Sequence, residues 1–162
     1  MIEIIFLDVD GCLTDGGLYY TNLGDELKKF NVNDGFGIEQ WNKIGKISAI
    51  ITGKSSKIVE KRAKDLKIKY VFQGVKDKFS VAEEILKKEG LGFENAAAIG
   101  DDYNDIRLLN NVKMSFKPLN AMSEVKADIA LSKKGGDGAV REMIETIIKK
   151  ENLSDVWLEK WL

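Results

Sequence analysis

Short apolar runs punctuate the chain at Ile4–Leu7 (IIFL), Ile47–Ile51 (ISAII), Tyr70–Phe72 (YVF), Ala96–Ile99 (AAAI) and Ile129–Leu131 (IAL). They are continuous rather than alternating, the pattern of parallel strands covered on both faces. Between them lie the amphipathic stretches SSKIVEKRAKDL, KFSVAEEILKKEG and GAVREMIETIIKK. Ser55 or Ser56 is placed to cap the first of these helices, and Gly90 to close the second. Strands alternating with helices predict a doubly wound, Rossmann-like α/β fold with a parallel sheet.

One stretch breaks the alternation. LYYTNLGDELKKFNV reads as two strands around Asn22-Leu23-Gly24-Asp25, a β-hairpin inserted over about residues 17–32, between the first strand and the first helix. NLSDVWLEKWL forms a tail of about residues 152–162 carrying Trp157 and Trp161. Every gap between strands is filled by the hairpin or by a single helix, which predicts one domain over residues 1–162 with no separate cap domain.

Composition narrows the chemistry. With 25 basic against 26 acidic residues and a net charge of −1, no basic surface for nucleic acid or an anionic membrane is expected. Cys12 is the one cysteine, so no intrachain disulfide forms, and no run approaches membrane-spanning length; a cytoplasmic location is expected. There is no histidine. Ser-His-Asp and Cys-His catalysis and His-ligated zinc are therefore excluded within one chain, and acid–base work falls to carboxylates, Lys, Tyr or Cys12.

Ligands of open α/β sheets bind at the carboxyl ends of the strands. After the first strand stand Asp8, Asp10, Gly11, Thr14 and Asp15; after the second, Thr52, Gly53 and Lys54. The third is followed by Gln73, Gly74, Lys76 and Lys78, and the fourth by Gly100-Asp101-Asp102 with Asp105 a turn later. Singly, each is an ordinary cap, turn former or solvated helix residue. Together they put acids, a hydroxyl and amines on one sheet edge.

The ordered set DVDGCLTD, ITG, a downstream Lys and GDDYND resembles the haloacid dehalogenase superfamily of phosphohydrolases. More closely, DGGLYYTNLGDELKKFNVNDGFGI, VFQGVKDK and GGDGAVRE resemble its cap-less members acting on 3-deoxy-manno-octulosonate 8-phosphate and on nonulosonate (KDN or sialic acid) 9-phosphates. The resemblance implies a phosphatase with Asp8 as nucleophile and Asp10 as general acid and base. Thr52 and Lys78 would contact the phosphoryl group, and Asp102 and Asp105 would hold Lys78 or a metal-bound water. A homotetramer whose hairpins help cover neighbouring sites is implied too.

The physics fits that implication. A carboxylate approaching a phosphate dianion is repelled by roughly 4 kcal/mol per unit pair at about 4 Å and an effective dielectric near 20. Mg²⁺ offsets this by bridging nucleophile and phosphate. The oxygens of Asp8 and Asp101 suit it, with the Asp10 backbone carbonyl by resemblance. For the sugar acid, Gly53, Lys54, Arg62 and Gln73 are the expected binding residues. Lys54 stands where the octulosonate enzymes usually carry Arg, and its charge favours a carboxylate partner and hence the octulosonate. Two other functions compete. A phospho-accepting receiver domain uses similar residues, but its phosphorylated Asp follows a middle strand. A non-catalytic oligomerisation module would have no need of Asp8, Asp10, Thr52, Lys78 and Asp101 together.

Overall fold

The computed structural model describes residues 1–162. Four of the anticipated strands form as read: β1 (Ile4–Leu7), β4 (Ile47–Ile51), β5 (Tyr70–Phe72) and β6 (Ala96–Ile99). The fifth, β8 (Ile129–Ala130), is one residue shorter than the IAL run, and with β7 (Met114–Lys117) it completes a parallel sheet in the order β5-β4-β1-β6-β7-β8. β7 lies outside the sequence expectation because MSFK is no apolar run. Its polar members are satisfied by partners in the segment that follows: Asp128 accepts from both the backbone N–H and the hydroxyl of Ser115 at 2.8 Å, and Lys117 donates to the Val125 carbonyl.

The continuous runs are buried on both faces. Ile5, Leu7 and Ile50 point to one side, with Ile38 and Trp41 of α1 (Val32–Lys43), Val59 and Ala63 of α2 (Lys57–Asp65), and Ile144 and Ile147 of α5 (Ala139–Lys150). Ile4, Phe6, Ala49 and Ile51 point to the other. Ala82, Ile85 and Leu86 of α3 (Lys78–Glu89) cover them, with Leu108 and Leu109 of α4 (Ile106–Leu109). Period-2 alternation along each strand thus feeds two cores, one per face.

The helix limits follow local chemistry. The Ser56 hydroxyl accepts from the Ile58 N–H to open α2, and Asp77 accepts from the Ser80 N–H to open α3. Gly90, in the left-handed region at φ 68°, ends α3. Periodicity does not delimit α1, because Gly35 and Gly37 interrupt its apolar face. They permit close packing instead: a Cβ on Gly37 would stand 2.9 Å from the Arg141 side chain of α5.

The hairpin is shorter than the sequence suggested. Only β2 (Tyr19–Tyr20) and β3 (Glu26–Leu27) pair, antiparallel, and an isolated bridge between Thr14 and Phe30 ties their base to the loop after β1. In the tail, α6 (Ser154–Leu158) buries Trp157 against the first core, while Trp161 stays exposed 5.5 Å from the Phe36 ring. No helix is long and apolar enough to cross a membrane.

Candidate active site

The site is built where the neighbouring strands β1, β4 and β6 end. Asp8 directly follows β1 and is almost wholly buried. The chain then turns through Val9–Leu13, with Gly11 at φ 84°. Gly11 is required twice over, because a side chain there would be strained and its Cβ would overlap the Asp101 carboxylate. The Thr14 hydroxyl closes this loop, donating to the Val9 carbonyl and accepting from the N–H groups of Gly11 and Gly16.

A second brace comes from the far edge. Gly135 packs against the Gly11 carbonyl. The Asn120 amide clamps the two, donating to the Gly11 carbonyl at 3.0 Å and accepting from the Gly135 N–H at 2.7 Å.

Lys78, the first residue of α3, carries a buried ammonium. It donates to Asp8 Oδ1 at 2.7 Å and to Asp105 Oδ1 at 2.6 Å. Burial works against its charge, but the charges and hydrogen bonds of Asp8 and Asp105 outweigh this and hold its pKa above the ordinary value. The other oxygen of Asp105 accepts from the N–H groups of Asp101 and Asp102. One side chain therefore fixes both Lys78 and the loop that presents Asp101.

These elements surround a cavity of about 310 Å³ with no hydrophobic side chain in its wall. Asp8, Asp10, Gly11 and Gly16 line it from the loop after β1; Thr52, Gly53 and Lys54 from the end of β4; Asp101, Asp102 and Asn104 from the end of β6. Such a wall suits a small, highly charged ligand.

Asp8, Cys12 and Asp101 bring donor atoms within 4.8 Å of one another. Burial, then the charge of Asp105, raises the Asp8 pKa to about 6 against the pull of Lys78. Burial, then the charges of Asp8 and Asp105, raises Asp101 to about 8. Two facing carboxylates that resist ionising together are what a divalent cation relieves. Burial and the same acids push the Cys12 thiol well above its ordinary value, so it stays protonated and offers no soft thiolate. The remaining donors are oxygens, which fit Mg²⁺.

Asp8, Asp10, Thr52, Gly53, Lys54, Asp101 and Asp102 thus share one cavity, with Lys78 and Asp105 directly behind it. The structure places three of the expected residues in other contacts. Arg62 does not line the cavity of its own chain: it donates to the Asn31 carbonyl and lies over the Phe30 ring. Gln73 is not in the wall either, because its side-chain oxygen accepts from the Ser56 N–H and steadies the start of α2. Asp102 does not hold Lys78; it caps the turn at Tyr103, accepting from that N–H at 2.7 Å.

Two further residues escaped the sequence reading. Asn104 lines the cavity from inside the GDDYND stretch, where a lone amide among acids carries no signal of its own. Lys28, next to β3, places its ammonium 2.8 Å from Asp10 Oδ1; nothing in LKKF distinguishes it from its neighbour Lys29.

The chain is similar to known proteins over nearly its whole length. Residues 20–139 match the family model described as haloacid dehalogenase-like hydrolase. The chain is 37% identical over 156 residues to the 3-deoxy-D-manno-octulosonate 8-phosphate phosphatase of Escherichia coli K12, covering 95% of this chain and 83% of that protein. The crystal structure of the Moraxella catarrhalis phosphatase of that name, in complex with magnesium, phosphate and KDO, superposes with a TM-score of 0.95. It shares 37% identity, over 99% of this chain and 94% of that one. The cobalt-bound Haemophilus influenzae enzyme gives a TM-score of 0.90 at 37% identity, covering 96% and 92% of the two chains.

Proposed function

The chain belongs to the haloacid dehalogenase-like hydrolases, and from that premise we propose that it is a magnesium-dependent phosphatase of 3-deoxy-D-manno-octulosonate 8-phosphate. The observation that carries the reading is the buried Asp8–Lys78–Asp105 chain facing Asp101 across a wholly polar cavity. Both rival functions fit less well. The acid of a receiver domain follows a middle strand of its chain, whereas Asp8 follows β1. An oligomerisation module has no use for a glycine-dependent loop packed on Asp101 and a buried ion cluster.

The side chains of Asp8 and Asp101 would hold the metal, with the Asp10 backbone carbonyl as the further oxygen. Bound Mg²⁺ supplies charge neutralisation between nucleophile and phosphate. The rest belongs to the chain. An Asp8 carboxylate oxygen forms a bond to phosphorus as the bond from phosphorus to the sugar oxygen breaks, and Asp10 delivers a proton to that departing oxygen. Asp10, now ionised, removes a proton from water. The water oxygen bonds to phosphorus, the acyl-phosphate bond breaks, and Asp8 is regenerated with release of inorganic phosphate. Lys78 counters the charge on Asp8 and on the phosphoryl oxygens, and the Thr52 hydroxyl donates to them.

Lys54 would pair with the sugar-acid carboxylate, since it lies in the wall beside Thr52 and Gly53 and carries the unassigned positive charge there. Assembly as a homotetramer through the hairpin belongs to the same reading. Its support is the unburied apolar surface of Leu18, Tyr20, Leu23 and Leu27, with Leu23 at 91% exposure. A cytoplasmic location accords with a lone, buried thiol. The test is phosphate release with Mg²⁺ from the octulosonate 8-phosphate against a nonulosonate 9-phosphate. A higher kcat/KM for the octulosonate supports the reading, and the reverse order assigns the chain to the nonulosonate enzymes.

A further inference from the structure

Asp10 has the most demanding task in the proposed reaction, because it must give and then take a proton along one line of approach. Its carboxylate is a third exposed, yet it is not left to swing in solvent. The Lys28 ammonium meets its Oδ1 at 2.8 Å and also meets Glu26 Oε1 at 3.2 Å. Although Lys28 follows a hairpin that stands out from the body of the protein, its own side chain is only 3% exposed. The next residue, Lys29, is exposed.

Lys28 is also the one cation paired with Asp10, since Lys78 is engaged by Asp8 and Asp105. Two residues further along, Phe30 bridges to Thr14, the residue whose hydroxyl closes the loop carrying Asp10. The hairpin thus reaches the loop by its backbone at Thr14 and reaches the acid by a buried ammonium.

We propose that Lys28 is a positioning residue for general acid–base catalysis: it fixes the Asp10 carboxylate in the cavity, so the hairpin helps to set the geometry of proton transfer as well as to cover the site. Lys28 pairs with the side chains of Asp10 and Glu26 and with neither Asp8 nor Asp101, so its effect runs through the Asp10 carboxylate. The inference rests on the assignment of Asp10 as acid, and the two are separable by experiment.

A leaving group that departs as a stable anion needs little help from an acid, whereas an alkoxide needs it fully. The test compares kcat/KM, which reports leaving-group departure rather than later hydrolysis, on 4-nitrophenyl phosphate and on benzyl phosphate, of similar size. Full-length wild type, Lys28→Met, Lys28→Arg, Lys29→Met and Asp10→Asn are assayed with Mg²⁺, after thermal melting to confirm folding. Lys28→Met should lose about tenfold or more on benzyl phosphate and less than about threefold on nitrophenyl phosphate. Lys28→Arg should recover most of the difference, and Lys29→Met should match wild type. Selective loss in Asp10→Asn but equal losses, or none, in Lys28→Met would overturn the positioning role alone. If Asp10→Asn shows no selective loss, the acid assignment falls and the inference with it.

Discussion

Removing the Lys78 ammonium should be among the most disruptive single changes to this protein. In Lys78→Met the stem is replaced by a side chain of similar length, so packing in the first turn of α3 is largely kept. What disappears is the cation 2.7 Å from Asp8 and 2.6 Å from Asp105, whose side chains are 8% and 3% exposed. Breaking a buried ion pair by deleting one member typically costs about 3–5 kcal/mol, because the remaining charge is left uncompensated. Against a total stability of about 5–15 kcal/mol this is a large share. At about 2–4 °C per kcal/mol for a chain of this size, the midpoint should fall by about 6–20 °C at pH 7.5 in chelator. The loss should shrink at pH 5, where an unpaired carboxylate escapes the penalty by taking up a proton. Circular dichroism melts of wild type, Lys78→Met and the exposed control Lys76→Met at both pH values supply the check. A Lys78→Met midpoint within about 2 °C of wild type at pH 7.5 would refute the claim that this ammonium offsets two buried acids.

Three further outcomes follow from other contacts. Asp34 of α1 is buried against the start of α5 and accepts from the Arg141 N–H at 2.8 Å, and burial raises its pKa to about 6. A folded-state value above the ordinary 3.8 means stability falls as pH rises from about 4 to about 6. Asp34→Asn should remove about 3 kcal/mol of that slope, read as the wild-type-minus-variant difference in chemical denaturation; equal slopes would contradict the assignment. Gly135→Ala would force a Cβ into the Gly11 carbonyl, so kcat should fall at least about tenfold in a protein that still folds by circular dichroism, whereas wild-type kcat would show the brace to be dispensable. Lys54→Ala should cost about ten- to a hundredfold in kcat/KM on the sugar-acid phosphate and little on nitrophenyl phosphate, and equal losses would place Lys54 at the phosphoryl group.

How far the sequence could be read depended on whether local chemistry or remote packing decided each feature. Ile4–Leu7 and Ala96–Ile99 are legible because central parallel strands must be apolar on both faces, and Ser56 and Gly90 mark helix ends by local hydrogen bonding and backbone freedom. β7 was illegible because its polar residues are satisfied by Asp128 and Val125, partners set by tertiary structure. The acids of DVDG and GDDYND could be placed at strand ends from order alone, and they do meet in one cavity. Arg62 and Gln73 could not be excluded that way, because the Asn31 carbonyl and Ser56 N–H that engage them depend on how α2 lies against the sheet. Lys28 shows the opposite failure: a lysine beside a hairpin reads as solvated until the fold brings Asp10 to it.

The central claim is that Asp8, in the presence of magnesium, opens the phosphate ester. Its most direct test is phosphate release from 3-deoxy-D-manno-octulosonate 8-phosphate by wild type and by Asp8→Asn, each with Mg²⁺ and with chelator. Asp8→Asn should melt close to or above wild type in chelator, since it removes a buried acid whose pKa is raised to about 6, yet release no phosphate. Wild type should turn over with Mg²⁺ and stop when the metal is removed. Turnover by Asp8→Asn at near wild-type rate, or full wild-type activity in chelator, would contradict the account.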